Sequence, residues 1–101
     1  MPVTCEQADR VMTLRLSGEI DHHRARELME GMDRYINTYL PKQLTVDLSG
    51  VTFMDSSGIA VLLRAYRRTH ELEGTLRVTG TPSQAGRVLQ AAGLSRMMTI
   101  E

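Results

Sequence analysis

The sequence is poor in several residue types on which whole classes of protein depend. Its 101 residues include no tryptophan, one cysteine and only 4% aromatic residues. So few rings argue against a surface on which the bases of single-stranded nucleic acid stack. The single cysteine, Cys5, has no partner for an internal disulfide, which favours a reducing compartment.

An excess of charge of one sign is also missing. Twelve Lys and Arg residues balance twelve Asp and Glu residues, so we expect neither a nucleic-acid-binding arm nor a membrane-binding patch. No signal-peptide pattern stands at residues 1–5, and no apolar run is long enough to cross a membrane. We therefore expect a cytoplasmic protein whose partners include no nucleic acid and no membrane.

The composition is nevertheless sufficient for one folded unit. Hydrophobic residues make up 42% of the chain and charged residues 24%, which is typical of a globular domain rather than of a disordered segment. A length of 101 residues predicts one domain, covering residues 1–101.

Hydrophobic periodicity predicts the element order ββαβαβαβ. Predicted strands cover residues 3–5, 11–16, 44–48 with a following segment 51–54, 76–78 and 97–100, and residues 6–10 are expected to form a turn. Predicted helices cover residues 22–39, 57–72 and 82–92. Strands that alternate with helices predict an α/β fold with a mostly parallel central sheet of about five strands and right-handed crossovers.

Local signals mark the ends of the helices. Asp21 is expected to cap the first helix, and Pro41 to end it. Gly74 is expected to close the second helix. Residues 81–84 (Thr-Pro-Ser-Gln) resemble a capping box at the start of the third helix, which is expected to turn Ala92 inward.

The second helix begins with an unusually apolar segment. Its expected core stripe leaves out Ala60 and Val61, so apolar side chains surround almost the whole helix. This surface either packs against a second element or is offered to a partner. The expected core stripe consists of Ile59, Leu62, Leu63 and Tyr66.

A metal site is not expected. Asp21, His22 and His23 lie next to each other, but adjacent histidines on a helix do not share a face, whereas metal-binding pairs are spaced by three or four residues. His70 and Cys5 are isolated in the sequence and do not complete a ligand set.

Catalytic motifs are also not evident. Ser56 and Ser57 lack the glycine pattern of a nucleophile elbow, although the three histidines leave a serine-dependent enzyme open as an alternative. Gly50 and Gly58 do not form a phosphate-binding loop. We therefore expect no enzymatic activity and no cofactor.

The most informative feature is the segment Asp55-Ser56-Ser57, which follows a strand and begins a helix. Sites in parallel α/β sheets form at such carboxyl ends of strands. Capping of the helix by one of these side chains is the plain interpretation. The functional interpretation is phosphorylation, because N–H groups at a helix start stabilise a phosphate.

The segment 53–59 (Phe-Met-Asp-Ser-Ser-Gly-Ile) resembles the signature of the bacterial anti-sigma factor antagonists, whose fold is the STAS domain. Residues 16–23 resemble the turn before the first helix of that family, and residues 81–94 resemble its third helix. These blocks follow the family order over nearly the whole chain. The likeness is strongest to the sporulation branch.

The resemblance implies a phosphorylation switch. An unphosphorylated antagonist binds an anti-sigma factor that is itself a serine kinase and thereby frees a sigma factor. Phosphorylation of the first serine, here Ser56, abolishes this binding, and a metal-dependent serine phosphatase restores it. ATP and metal then belong to these partners. The implied partner-binding residues are Asp21, Asp55, Ser56, Ser57, Gly58 and Ile59.

An alternative within the same family also remains. Related STAS domains act as scaffold or sensor subunits of general stress signalling complexes. The sequence does not distinguish a sporulation pathway from a stress pathway.

Overall fold

The computed structural model describes residues 3–101, and the predicted element order is confirmed. The elements are β1 (Val3–Ala8), β2 (Val11–Ile20), α1 (Ala25–Tyr39), β3 (Gln43–Met54), α2 (Ser57–Glu71), β4 (Thr75–Thr79), α3 (Ser83–Ala91) and β5 (Thr99–Ile100). A short 3-10 turn, Leu94–Arg96, lies between α3 and β5.

The five strands form one sheet in the order β1-β2-β3-β4-β5. β1 runs antiparallel to β2, and every other neighbouring pair is parallel. Each crossover therefore advances in the same direction across the sheet. Since such crossovers are right-handed, all three helices cover the same face, and the predicted α/β class is correct.

The two faces of the sheet differ sharply in chemistry. Alternate residues of β2 and β3 point into the helix layer and are buried: Met12, Leu14, Leu16, Leu44, Val46 and Leu48. The opposite face is polar. There the guanidinium of Arg15 lies 2.6 Å from the Glu6 carboxylate and 3.4 Å from that of Asp47. Parallel sheets are usually covered on both faces, and this polar face explains how water can replace a second helix layer.

The buried stripe of α2 differs from the predicted one. Val61 and Ala65 are buried, whereas Ile59, Leu63 and Tyr66 are only half-buried. The stripe is rotated because α2 packs against α1 as well as against the sheet: Val61 lies beside Met32 and Ile36 of α1. The apolar start of α2 therefore serves a second element in part, while Ala60 remains exposed.

An ionic cluster reinforces the contact between these two helices. The Asp33 carboxylate of α1 accepts hydrogen bonds from Arg64, at 2.6 Å, and from Arg68, at 3.2 Å. Both arginines belong to α2. This cluster holds the outer edge of the helix pair, above the buried contact that Val61 makes.

The first half of the sheet corrects three predicted strand boundaries. β1 extends to Ala8 rather than ending at residue 5, because Asp9 and Arg10 both adopt positive φ angles, 53° and 65°, and form a two-residue hairpin turn. β2 continues through Gly18, where the register with β3 shifts at a bulge. β3 is one strand, not two segments.

The predicted helix ends need similar corrections. α1 begins at Ala25 rather than at residue 22, because residues 21–24 form a separate turn. At the end of α2, Glu73 adopts the left-handed conformation, with φ 57°, in place of Gly74. A side chain at Gly74 is excluded for another reason: its Cβ would lie 2.6 Å from the Lys42 carbonyl oxygen.

The third helix and the last strand are shorter than predicted. Ala92 follows the last turn of α3 and is exposed rather than inward-facing. Thr81 makes no capping hydrogen bond, since Pro82 occupies the cap position and the Thr81 hydroxyl is buried without a partner. The 3-10 turn takes up the segment before β5, which starts at Thr99.

The first turn of α2 lies directly on the last residue of β3. A Cβ atom at Gly58 would overlap Cγ of Met54, a side chain with no solvent exposure. Gly86 in α3 offers a contrast, because a Cβ there would meet only the Thr81 methyl group at 3.6 Å. Gly58 therefore permits a close contact with Met54, whereas the packing around Gly86 leaves room for a side-chain methyl group.

We predict opposite effects of alanine at these two glycines. Overpacking costs about 1–3 kcal/mol, which exceeds the roughly 1 kcal/mol that alanine gains over glycine inside a helix. Gly58→Ala should therefore lower the free energy of unfolding, whereas Gly86→Ala should raise it. Urea denaturation of both variants measures the difference, and equal shifts of the same sign would contradict the close contact at Gly58.

Candidate functional site

The carboxyl ends of β2 and β3 meet at one edge of the sheet, where Ile20 pairs with Met54. From here β2 leads into the turn 21–24 that precedes α1, and β3 leads through Asp55 and Ser56 into α2. The backbone N–H of Asp55 donates to the Ile20 carbonyl at 3.1 Å. This bond brings the two predicted site segments together.

The Asp55 carboxylate connects both loops. One oxygen accepts a hydrogen bond from the Ser57 N–H at 2.7 Å, and the other from the His22 N–H at 3.2 Å. The Ser57 N–H is the largest cause of a lowered Asp55 pKa, and the Ser57 hydroxyl and the His22 N–H lower it further, while desolvation opposes them. Asp55 is therefore ionised at neutral pH and caps the start of α2.

Asp21 accepts backbone hydrogen bonds in the other loop in a similar way. Its Oδ1 atom accepts hydrogen bonds from the N–H groups of His23, at 3.1 Å, and Arg24, at 3.0 Å. The prediction that Asp21 caps the first helix is wrong, because Arg24 occupies the cap position of α1 and Asp21 stabilises the turn in front of it. Asp21 is half-buried, and the two hydrogen bonds that it accepts fix the shape of this loop.

Ser56 and Ser57 are neighbours with different surroundings. Ser56 is exposed at the cap position of α2, and its side chain makes no capping hydrogen bond. Ser57 is half-buried, and both its N–H and its hydroxyl interact with Asp55. Of the three residues expected to cap the helix, Asp55 does so, and the Ser56 side chain is left to solvent.

Two predicted site residues remain, Gly58 and Ile59, and they differ in burial. Gly58 is buried and admits the Met54 side chain. Ile59 is half-buried and Ala60 is exposed on the next part of the helix. Phe53, at the end of β3, is 42% exposed and was not predicted as a site residue. The exposure of this ring beside Asp55 becomes evident only once β3 is seen to continue through residues 49–54.

Gln84 is a second residue that the sequence does not identify. Its side-chain oxygen accepts a hydrogen bond from the Met54 N–H at 2.8 Å, and its side-chain NH2 donates to the Met54 carbonyl at 2.7 Å. The predicted role of Gln84 in a capping box is therefore wrong. The amide binds a strand end 30 residues away, and no local pattern indicates such a contact.

Residues 3–101 contain no group of three or more His, Cys, Asp or Glu side chains that would hold a metal ion. His22 reaches Asp55 through its backbone N–H, and its ring packs edge-on against that of His23, with centroids 5.6 Å apart. His70 stacks on Tyr66. None of the helices in this described part of the chain is long and apolar enough to cross a membrane.

The chain is similar to proteins of known classes along almost its whole length. It is 31% identical over 100 residues to an anti-sigma F factor antagonist of Paenibacillus polymyxa. The matched segment covers 99% of this chain and 86% of that relative. It is 28% identical over 89 residues to an anti-sigma-B factor antagonist of Listeria monocytogenes, covering 85% of this chain and 75% of the relative.

Comparison with solved structures supports the fold. The unphosphorylated form of the anti-sigma factor antagonist SpoIIAA superimposes with a TM-score of 0.80, at 24% identity, over 98% of this chain and 87% of SpoIIAA. The STAS domain family matches residues 2–101. The expected resemblance is thereby confirmed, and the chain belongs to the STAS domain family.

Proposed function

We propose that the protein is an anti-sigma factor antagonist. In this role the unphosphorylated domain binds an anti-sigma factor serine kinase and thereby releases the sigma factor that the kinase holds. Two relatives that match most of the chain carry this name. The protein would then promote sigma-dependent transcription through binding alone.

The state of Ser56 controls this binding. The observation that carries the proposal is the contrast between the two serines: Ser56 is exposed at the start of α2 without a capping bond, whereas Ser57 is engaged by Asp55. A kinase can reach the first hydroxyl without disturbing the fold. N–H groups and the helix dipole at this position also favour a bound phosphate.

The partner-facing surface surrounds Ser56. Phe53 and Ala60 are exposed and Ile59 is half-exposed, which provides an apolar contact area next to the hydroxyl. Asp55, Ser57 and Asp21 shape the two loops at its border. Gly58 belongs to the same segment but contributes by admitting Met54 beneath the helix.

A phosphate on Ser56 opposes docking through its charge. It adds about −1.5 to −2 charges next to Asp55, whose lowered pKa keeps it ionised. Both charges would have to lose water when the apolar surface meets the partner, and incomplete pairing of buried charge costs several kcal/mol. Phosphorylation therefore disrupts the interface while the domain stays folded.

The other components of the switch belong to its partners. The kinase supplies ATP, and a metal-dependent serine phosphatase removes the phosphate and restores the binding form. The domain itself acts without a cofactor. The family resemblance favours a sigma factor that controls sporulation, and the Paenibacillus relative is named for sigma F.

The alternative that the family resemblance implies is a scaffold or sensor subunit of a general stress signalling complex. The relative that is named for sigma B is itself an antagonist, so its name bears on which sigma factor is controlled. Affinity purification of the tagged protein from its native cells separates the two. Recovery of a single kinase without its sigma factor supports the antagonist role, and recovery of a large multi-subunit complex supports the stress role.

We predict that the purified protein has no hydrolase or ATPase activity. Within residues 3–101, no hydrogen bond joins the exposed Ser56 side chain to a histidine ring, and no metal cluster is present. Ester and ATP turnover assays on repurified wild type and on Ser56→Ala check this. A turnover that survives repurification and disappears in Ser56→Ala would establish an enzyme.

We predict that the kinase places the phosphate on Ser56. Ser57→Ala is the matched control: it should still be phosphorylated, because Asp55 keeps its hydrogen bond from the backbone N–H of residue 57. Ser56→Ala should not be phosphorylated. Phosphopeptide mapping decides the question, and modification of residue 57 in wild type would overturn the assignment.

We predict that charge at position 56 weakens binding without unfolding the domain. A negative charge at a helix start is favourable by roughly 0.3–1 kcal/mol, so Ser56→Asp should melt near the wild-type temperature. Its affinity for the anti-sigma factor should fall about tenfold or more, equivalent to about 1.4 kcal/mol. Ser56→Ala should bind like wild type.

Calorimetric titration and thermal melting should be measured on the same preparations. If Ser56→Asp binds the anti-sigma factor as tightly as wild type, the negative charge does not exclude the partner. A loss of affinity that only accompanies a lower melting temperature would assign the effect to unfolding.

A further inference from the structure

The end of β3 lacks a neighbouring strand on one side. The pairing of β3 with β4 ends at Asp47 and Thr79, yet β3 continues for seven more residues, to Met54. On the other side, β2 stays paired with β3 as far as Ile20 and Met54. The last residues of β3 therefore extend beyond the ladder that β4 provides.

Gln84 takes the place of the missing strand at Met54. Its amide accepts from the Met54 N–H and donates to the Met54 carbonyl, which are the two bonds that a neighbouring strand would supply. The side-chain amide of Gln or Asn carries an acceptor and a donor side by side without charge, as a peptide group does. We call this pair of hydrogen bonds the Gln84 latch.

The Gln84 latch is attached to a fixed part of the molecule. Ala85 and Leu89, on the same helix, are buried in the core. The Thr81 N–H, just before the helix, donates to the Glu101 carbonyl at 3.1 Å. The position of Gln84 is therefore set by the core and by the last residues of the chain.

Met54 connects Gln84 to the segment that carries Ser56. Its backbone is bound by Gln84, and its fully buried side chain lies against Gly58 in the first turn of α2. Asp55 and Ser56 lie between these two contacts. A shift of the Met54 backbone would therefore move the segment that presents the Ser56 hydroxyl.

We infer that Gln84 is a positioning residue for phosphoryl transfer to Ser56, a role that rests on the proposed function. Transfer requires the hydroxyl to lie in line with the phosphate that it attacks, and a displacement of about 1 Å can slow a reaction about 100-fold. The Gln84 latch fixes the hydroxyl through Met54 without contacting the kinase.

The test compares kinase kinetics in four proteins. Gln84→Met keeps the length of the side chain and removes both hydrogen bonds, whereas Gln84→Ala opens space in which water can bind Met54. Gln90→Met is the matched control, since Gln90 is exposed on the same helix. Wild type completes the set, and all reactions run at a temperature where circular dichroism shows each protein folded.

We expect kcat for Ser56 phosphorylation to fall about tenfold or more in both Gln84 variants. KM should change less than about threefold, because a positioning group affects the reacting geometry more than the docking surface. Gln90→Met should behave like wild type. Unchanged kcat in both Gln84 variants would overturn the role, as would a raised KM with unchanged kcat.

Hydrogen exchange provides a readout that does not depend on the kinase. The Met54 amide should exchange faster in both Gln84 variants, while the amide of buried Val46 in the same strand keeps its wild-type rate. An unchanged Met54 rate would contradict the Gln84 latch itself. Failure of the wild type to accept phosphate on Ser56 would overturn the proposed function and this role together, whereas normal wild-type kinetics with insensitive variants would overturn this role alone.

Discussion

The Asp55 carboxylate is the interaction on which the geometry of the site depends. It receives one N–H from the start of α2 and another from the turn that leads into α1, and its own backbone N–H is bound by the end of β2. Because these N–H groups stabilise the ionised form, the pKa of Asp55 is lowered and the bridge is present at neutral pH. Capping by Asp55 also leaves the Ser56 side chain without a structural task.

The hydrophobic layer beneath the site holds this bridge in place. All three helices pack on one face of the sheet, and Met54 extends that layer to the point where β3 ends. Gly58 lets α2 approach Met54 closely, and Gln84 binds the same residue from the side. Met54 is therefore held by the helix layer, by the first turn of α2 and by Gln84 of α3.

Most of the fold could be predicted from sequence because its signals are local. The alternation of buried and exposed residues in β2 and β3 depends only on neighbours along the chain. Rotation of the stripe in α2 could not be predicted, since Val61 lies beside residues of α1 that are distant in the sequence. The contact between Gln84 and Met54 joins residues 30 positions apart, and the exposure of Phe53 depends on how far β3 continues past β4.

The helix-free face of the sheet has a consequence for the stability of the domain. Its ion pairs, such as that between Arg15 and Glu6, lie at the surface, and exposed pairs of this kind contribute little to stability. An exposed charge such as Glu6 therefore contributes less to folding than any side chain of the buried layer, so the stability of the domain depends on one face of its sheet.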